Sequence, residues 1–212
     1  MTNIPASKPT ITPKQRPVQW LDFDFTIIKN HPNTEAALLA AYTHAQTHSS
    51  DPSTQLGSVL FASRGDKTFS VLGVNAPTRG MKPTEEQLQN RDVKLLLTEH
   101  AERSAIYAAA AAGLSTRGAN FFVPWYACAE CARAVVSAGI GRIIGHLPMF
   151  QNTPDRWQNS IRIGMQILHA GGVETCLYDG PVGTGDDTGV SIRFNGVAFH
   201  PGRSGLEIVT GV

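Results

Sequence analysis

Apolar and polar residues recur along the chain with two different periods, and these periods divide it into predicted helices and strands. Alanine-rich or amphipathic stretches with apolar residues three and four positions apart favour helices. Short runs rich in branched and aromatic residues favour strands. The predicted helices cover Thr34–His48, Glu99–Ala112, Cys131–Ala138 and Pro154–Ala170. The predicted strands cover Leu56–Ala62, Thr68–Asn75, Asn120–Val123, Arg142–Leu147 and Val173–Leu177.

The order of these elements predicts the fold class. The first two strands are joined by the short turn Ser63–Lys67 and form a hairpin, and after the helix that begins at Glu99 strands alternate with helices. Such an alternation is typical of an α/β protein with helices on both faces of a sheet. We therefore expect a three-layer α/β/α sandwich around a mixed sheet of about five strands.

The two ends of the chain differ from this central pattern. Prolines recur at every fourth position of the first eighteen residues, which excludes a regular helix and predicts an extended arm over residues 1–18. Residues 19–178 then form the folded domain. Residues 179–212 begin as a glycine-rich loop and continue as a hairpin, because Asn195-Gly196 separates the apolar runs Val190–Phe194 and Val197–His200, and Asn-Gly is the strongest short hairpin signal.

Composition narrows the class of protein. With 212 residues, 42% of them hydrophobic, the chain can bury the core of one domain. The net charge of +1 gives no electrostatic reason to expect a nucleic-acid or membrane partner. The N-terminus has no apolar stretch of signal-peptide length, and three cysteines without an evident disulfide pair fit a reducing compartment. We expect a cytoplasmic protein.

Two short motifs carry the candidate chemistry. His100 is followed two residues later by Glu102, and further on Cys128 and Cys131 are two residues apart. One imidazole and two thiols are suitable zinc ligands, and three protein ligands leave a fourth position for water, which is typical of a catalytic zinc. Glu102 would be the neighbouring general acid or base. Alternatively, Glu102 only complements a helix dipole, and the cysteines form a thiol pair or half of a structural zinc site.

With these motifs the chain resembles the cytidine deaminase superfamily, whose signature combines a His-x-Glu motif with a later Cys-x-x-Cys motif. Within that superfamily it is most similar to the deoxycytidylate (dCMP) deaminases, over about residues 33 to 177. One departure is Ala127, where the family usually has proline before the first cysteine. The stretches that carry the closer likeness are Asp51–Val59, Gly73–Gly80, Cys128–Arg133 and Ser137–Ile140.

The resemblance implies hydrolytic removal of the 4-amino group of a cytosine nucleotide, with dCMP converted to dUMP and ammonia. One zinc ion per chain, held by His100, Cys128 and Cys131, would bring the pKa of a water molecule toward ~7, and Glu102 would carry protons to N3 and to the leaving amine. Relatives sometimes hold a second zinc in the segment that corresponds to residues 80–97, but this segment contains no Cys or His. The expected substrate contacts are Ser53, Gln55, Asn75, Arg79, Ala101 and Trp125.

Two of these contacts have a stated chemical reason. The Arg79 guanidinium could bind the 5′-phosphate through two hydrogen bonds, and the Trp125 ring could stack on the planar base. The resemblance also implies a homo-oligomer, which in the family is commonly a hexamer. Two alternatives stay open: a deaminase acting on cytidine, adenosine or guanine, and an inactive zinc-containing binding protein.

Overall fold

The structure, a computed structural model, describes residues 10–15, 18–183 and 189–202. The helices are α1 (Pro32–His48), α2 (Glu85–Gln89), α3 (Arg91–Leu97), α4 (Ala101–Ala111), α5 (Ala129–Ser137), α6 (Leu147–Gln151) and α7 (Asp155–Ala170). The strands are β1 (Thr10–Gln15), β2 (Phe25–Lys29), β3 (Gly57–Arg64), β4 (Lys67–Val74), β5 (Ala76–Pro77), β6 (Thr98–Glu99), β7 (Asn120–Phe122), β8 (Arg142–His146), β9 (Glu174–Tyr178), β10 (Ile192–Phe194) and β11 (Val197–Phe199).

A mixed sheet of seven strands in the order β1-β2-β9-β8-β7-β3-β4 forms the centre of the molecule. The four inner strands β2, β9, β8 and β7 run parallel to one another. At one side β1 pairs antiparallel with β2, and at the other β3 pairs antiparallel with both β7 and β4. Side chains of the inner strands are buried on both faces, including Phe121, Ile143, Ile144 and Leu177. Such doubly buried strands require a layer of helices on each side.

Two glycines show how the helical layers lie on opposite faces of the sheet. A Cβ atom on Gly57 would lie 2.1 Å from the carbonyl oxygen of Ala41 in α1, and one on Gly73 would lie 2.1 Å from that of Ala101 in α4. Gly73 pairs with Ser58, the neighbour of Gly57, and successive strand residues face opposite sides. Helix α1 therefore covers one face, while α4 covers the other together with α5 and α7, which pack against each other.

The predicted three-layer α/β/α class is confirmed, but the sheet is larger than the five strands expected. The additional strands β1 and β2 come from the first thirty residues, for which the sequence predicts an extended arm and no strand. β2 pairs in parallel with β9, about 150 positions later in the chain, so no local pattern indicates this pairing. Residues 1–9 and 16–17 of the predicted arm lie outside the described residues, and the division into three segments stays a prediction.

The C-terminal hairpin is confirmed where the structure describes it. Strands β10 and β11 pair antiparallel, and Asn195 and Gly196 have φ angles of 54° and 84°, as a two-residue hairpin turn of type I′ requires. Residues 184–188 and 203–212 of the predicted extension lie outside the described part. Among the described helices, none combines the length and the apolar character needed to cross a membrane.

Candidate active site

Three metal-binding side chains converge where helices α4 and α5 begin. His100 is the N-cap residue of α4, Cys128 is the N-cap residue of α5, and Cys131 lies in the first turn of α5. The His100 Nδ1 atom is 3.6 Å from the Cys128 Sγ atom and 3.4 Å from the Cys131 Sγ atom. Nitrogen and sulfur donors that share one tetrahedral zinc would be about 3.6 Å apart, given their usual bond lengths to zinc. The donor set and its spacing therefore fit zinc.

The start of each helix differs slightly from the sequence prediction. We expected His100 inside the first turn of a helix from Glu99, and a second helix that opens at Cys131. Instead α4 begins at Ala101 and α5 at Ala129, so His100 and Cys128 both have the extended backbone of a cap residue. Neither residue caps its helix through its side chain, which leaves both donor atoms available for a metal.

Helix α4 is held in place from the sheet. The Ser58 hydroxyl donates a hydrogen bond to the Ala101 carbonyl oxygen across 2.8 Å, and the absent side chain of Gly73 permits the close approach described above. The backbone N–H of His100 donates to the Glu99 carboxylate at 2.9 Å. These contacts fix the direction in which the His100 ring leaves the backbone.

Helix α5 is held in place by α7. The Ala129 N–H donates to the Ser160 hydroxyl at 3.2 Å, so a side chain of α7 performs the capping that Cys128 does not. A Cβ atom on Gly164 would lie 2.6 Å from the Ala127 carbonyl oxygen and 3.2 Å from the Cys128 carbonyl carbon. Only a residue without a side chain lets α7 lie this close to the cysteine loop.

The electrostatic environment favours a thiolate at this cluster. A hydrogen bond from Cys131 lowers the pKa of Cys128 to about 4, with burial opposing the shift and His100 supporting it. The same hydrogen bond raises the pKa of Cys131 well above its usual value. Burial tends to lower the pKa of His100, but its contact with Cys128 and the charge of Glu102 raise it overall. A thiolate is the form that ligates zinc.

Glu102 lies in the first turn of α4 next to this cluster. Its side chain is buried, and burial is the main reason that its pKa is raised, although the charge of His100 opposes the shift. A carboxyl group with a raised pKa exchanges protons more readily near neutral pH than an ordinary glutamate does. The position and environment of Glu102 therefore suit a proton carrier.

A cavity of about 520 Å³ opens beside the cluster, which is within the usual size range of small-molecule sites. The rings of Trp125 and Trp157 meet edge to face with centroids 5.6 Å apart, and Trp157 also contacts the His100 ring. The Trp125 Nε1 donates to the Thr153 hydroxyl at 2.9 Å, which fixes its ring. The lining residues include Asp51, Pro52, Ser53, Thr54, Leu56, Asn75, Arg91, Lys94, Thr98, His100, Ala101, Glu102, Trp125, Tyr126, Cys128, Arg156, Trp157 and Ile161.

Four of the expected substrate contacts line this cavity: Ser53, Asn75, Ala101 and Trp125. The buried amide of Asn75 organises the loop opposite. Its Oδ1 accepts from the Ser49 hydroxyl and the Leu56 N–H, each at 2.7 Å, and its Nδ2 donates to the Thr54 carbonyl at 2.6 Å. Asn75 itself lines the cavity, so this loop is organised from a residue of the site.

Gln55 and Arg79, the other two expected contacts, are not among the lining residues. The Gln55 side chain is used elsewhere, because its Oε1 accepts from the Arg193 N–H at 2.9 Å and its Nε2 donates to the Ser49 carbonyl at 3.4 Å. Arg79 is exposed in the turn after β5. The contact between Arg79 and the phosphate stays a prediction.

Three cationic residues that sequence reasoning missed line the cavity instead: Arg91, Lys94 and Arg156. The Lys94 ammonium donates at 3.0 Å to the Asp51 carboxylate, and both side chains are nearly buried. Arg91 and Lys94 belong to α3, in a segment noted only for lacking metal ligands. A helix-start signal was available there, since Thr84 and Gln87 form a capping box at the preceding helix α2.

Comparison with known proteins agrees with this geometry. Residues 32–147 match the model of a family described as the cytidine and deoxycytidylate deaminase zinc-binding region. A protein of Aliivibrio fischeri, described as an uncharacterized deaminase in the luxG 3′ region, is 30% identical over 129 residues, which is 59% of this chain and 80% of that protein.

A solved structure extends the similarity to the fold. The dCMP deaminase of cyanophage S-TIM5, in complex with dCMP and dUMP, superposes with a TM-score of 0.53 at 20% identity, covering 70% of this chain and 98% of the phage chain. A diaminohydroxyphosphoribosylaminopyrimidine deaminase/5-amino-6-(5-phosphoribosylamino)uracil reductase of Thermotoga maritima gives a TM-score of 0.47 at 19% identity, over 68% of this chain and 36% of that one.

The family match spans more than half of the chain and contains the three donors that converge in the structure. Those donors fit zinc in number, type and spacing. The chain therefore belongs to the cytidine and deoxycytidylate deaminase family and is a zinc-dependent deaminase.

Proposed function

We propose that the protein hydrolyses the 4-amino group of a cytosine nucleotide and that its substrate is dCMP, which becomes dUMP with release of ammonia. The observation that carries this proposal is the composition of one cavity. It combines the zinc donors, a buried carboxyl group, two tryptophan rings and two arginines. A pyrimidine nucleotide has a planar ring and an anionic phosphate that match these two kinds of side chain.

His100, Cys128 and Cys131 would hold the zinc, and Glu102 would move the protons. Bound zinc supplies a Lewis acid that makes water nucleophilic near neutral pH. Glu102 would accept the proton that water loses and pass it to N3 of the ring, which makes carbon 4 electrophilic. Glu102 would then take the second proton of the water, from the hydroxyl now on carbon 4, and deliver it to the departing amine, so that one water is consumed and one ammonia is released.

The base would be held by the tryptophans and by the start of α4. Trp125 is held by Thr153 and Trp157 packs against it, so a ring can enter between a fixed aromatic wall and the zinc donors. Stacking on an aromatic side chain contributes about 1–3 kcal/mol per base. The N–H of Ala101, the first residue of α4, has no acceptor within its helix, and we assign it to the pyrimidine carbonyl oxygen.

Phosphate recognition is assigned to Arg91 and Arg156. Both arginines line the cavity and are exposed, and the Arg91 guanidinium lies 3.9 Å from the exposed Asp92 carboxylate, whereas the Lys94 ammonium is nearly buried in its ion pair with Asp51. Asn75 and Ser53 would contact the sugar from the loop that they organise. The cytoplasmic location and the homo-oligomeric assembly expected from the sequence stay predictions.

The test is ammonia release by the zinc-loaded protein on a panel of dCMP, CMP, deoxycytidine, dCTP, adenosine and guanine. We expect kcat/KM to be highest for dCMP and at least tenfold lower for deoxycytidine, because a phosphate held by arginine contributes a charged hydrogen bond. Turnover of an unphosphorylated nucleoside or base alone would contradict the dCMP assignment. Turnover of none of the six compounds would contradict the assignment to cytosine nucleotides.

A further inference from the structure

The C-terminal hairpin of β10 and β11 packs against residues that line the cavity, among them Trp125 and Arg156. It lies beyond the segment that matches the deaminase family, residues 32–147, yet its apolar side chains Ile192, Phe194 and Phe199 are buried against the domain. The Phe194 ring meets the Trp125 ring edge to face with centroids 5.0 Å apart. The hairpin therefore supports the aromatic wall from behind.

The hairpin is also bonded to the substrate loop, which we define as residues 51–56. The Gln55 N–H donates to the Arg193 carbonyl at 2.7 Å, and the Arg193 N–H donates back to the Gln55 side chain at 2.9 Å. The Gly196 N–H donates to the Ser53 carbonyl at 2.8 Å. These backbone bonds hold the loop against the hairpin much as neighbouring strands hold each other.

The turn of the hairpin reaches an arginine at the cavity. The Arg156 Nη2 donates to the Asn195 Oδ1 across 2.5 Å, and Arg156 lines the cavity. Among the described residues no carboxylate lies within ion-pair distance of Arg156. Its charge is therefore not neutralised there, and its remaining N–H groups are available to an anion.

We propose that this hairpin determines substrate specificity, and that Asn195 is a positioning residue that holds Arg156 where it recognises the anionic group of the substrate. The inference rests on the proposed function for the identity of that anion, a nucleotide phosphate. Asn195 acts through a neutral acceptor, which orients the guanidinium without cancelling its charge. An acidic residue at this place would bind Arg156 more tightly and would repel a phosphate.

The test is the variant Asn195→Gly. Asn195 has a positive φ, which glycine adopts without strain, so the turn is kept while the acceptor is lost. The matched control is Asn30→Gly, the same substitution at the other described asparagine with a positive φ, 51°. For Asn195→Gly we expect KM for dCMP to rise about tenfold with kcat within about twofold, and KM for deoxycytidine to stay unchanged. Asn30→Gly should have the same KM as the wild type for dCMP and for deoxycytidine.

A double-mutant cycle with Arg156→Gln separates positioning from a general structural role. If Asn195 acts through Arg156, then adding Asn195→Gly to Arg156→Gln should raise KM for dCMP no further. The proposal would be overturned if the two effects on KM for dCMP were additive. It would also be overturned if Asn195→Gly changed KM for dCMP and for deoxycytidine by the same factor, or changed neither KM.

The same cycle remains decisive if dCMP is not the substrate. Binding of inorganic phosphate to the zinc-loaded protein, measured by calorimetry, does not require turnover. Weaker binding to Asn195→Gly, with no further loss in the Arg156→Gln background, would support the hairpin's role while the dCMP assignment failed. Equal binding to all variants, or no phosphate binding by the wild type, would overturn it.

Discussion

The Arg103 guanidinium donates a hydrogen bond to the Glu130 carboxylate across 2.7 Å and so joins the two helices that carry the zinc donors. On its other side it contacts the Glu99 carboxylate at 2.5 Å, and Glu99 in turn accepts from the His100 N–H. The positive charge of Arg103 also lies close enough to Cys131 to interact with it electrostatically. Arg103 therefore acts on the metal centre without being a ligand.

Replacing Arg103 by methionine should weaken zinc binding. The variant keeps much of the aliphatic stem but loses the bridge and the charge that favours a thiolate, and loss of such supporting partners typically lowers metal affinity about 10- to 100-fold. Chelator competition measures the change. The control is Arg142→Met, which removes another arginine from an ion pair, with Glu174, and should leave zinc affinity as it is. Equal zinc affinity in wild type and Arg103→Met would contradict this role.

Replacing Gly164 by alanine should destabilise the cysteine loop. At an exposed position inside a helix, replacing Gly by Ala stabilises the protein by about 1 kcal/mol. At position 164, however, the new methyl group would lie 2.6 Å from the Ala127 carbonyl oxygen. Overpacking of this kind costs about 1–3 kcal/mol. We expect a lower urea midpoint and less bound zinc. The control Asn159→Ala, at an exposed position of the same helix, should lower neither the urea midpoint nor the amount of bound zinc. A Gly164→Ala protein that is more stable than the wild type would contradict the close contact.

Replacing Glu102 by glutamine should lower turnover by about 10²- to 10⁴-fold while zinc and fold are retained. The amide has nearly the same shape but cannot carry a proton, and loss of general acid/base catalysis costs about 10²- to 10⁴-fold in rate. Ammonia release and the zinc-to-protein ratio, measured on the same sample, check both parts. Near-full activity of the variant would exclude Glu102 as the proton carrier.

The cysteine pair of the metal centre could be predicted from the sequence because its geometry is local. Cys128 and Cys131 lie at the N-cap and in the first turn of one helix, so their spacing alone places both thiols together. The Asn195-Gly196 turn was predictable for the same reason, since two adjacent residues determine it. In each case short sequence separation carried the information.

The rest of the site depends on contacts between distant residues. Nothing in the local sequence places Arg156 at the cavity, because its hydrogen-bond partner Asn195 lies 39 positions later. The contact of Phe194 with Trp125 and the pairing of β2 with β9 likewise join remote segments. The sequence predicted the hairpin, but no local pattern indicated where it would dock.

His146 predicts a loss of stability in mild acid. Burial lowers its pKa to about 4, and its ring is held between the Tyr42 hydroxyl at 2.7 Å and the Gly180 carbonyl at 2.9 Å. In the unfolded chain its pKa is about 6.5, so between these values the unfolded state binds the extra proton and is favoured as pH falls. From pH 7.5 to pH 5, this one residue should lower the free energy of unfolding by about 2 kcal/mol. Urea unfolding at pH 7.5 and at pH 5 tests this prediction. A His146→Gln variant should be less stable than the wild type at pH 7.5, but its free energy of unfolding should fall by about 2 kcal/mol less than that of the wild type when the pH is lowered to 5. Equal losses would show that His146 does not titrate on unfolding.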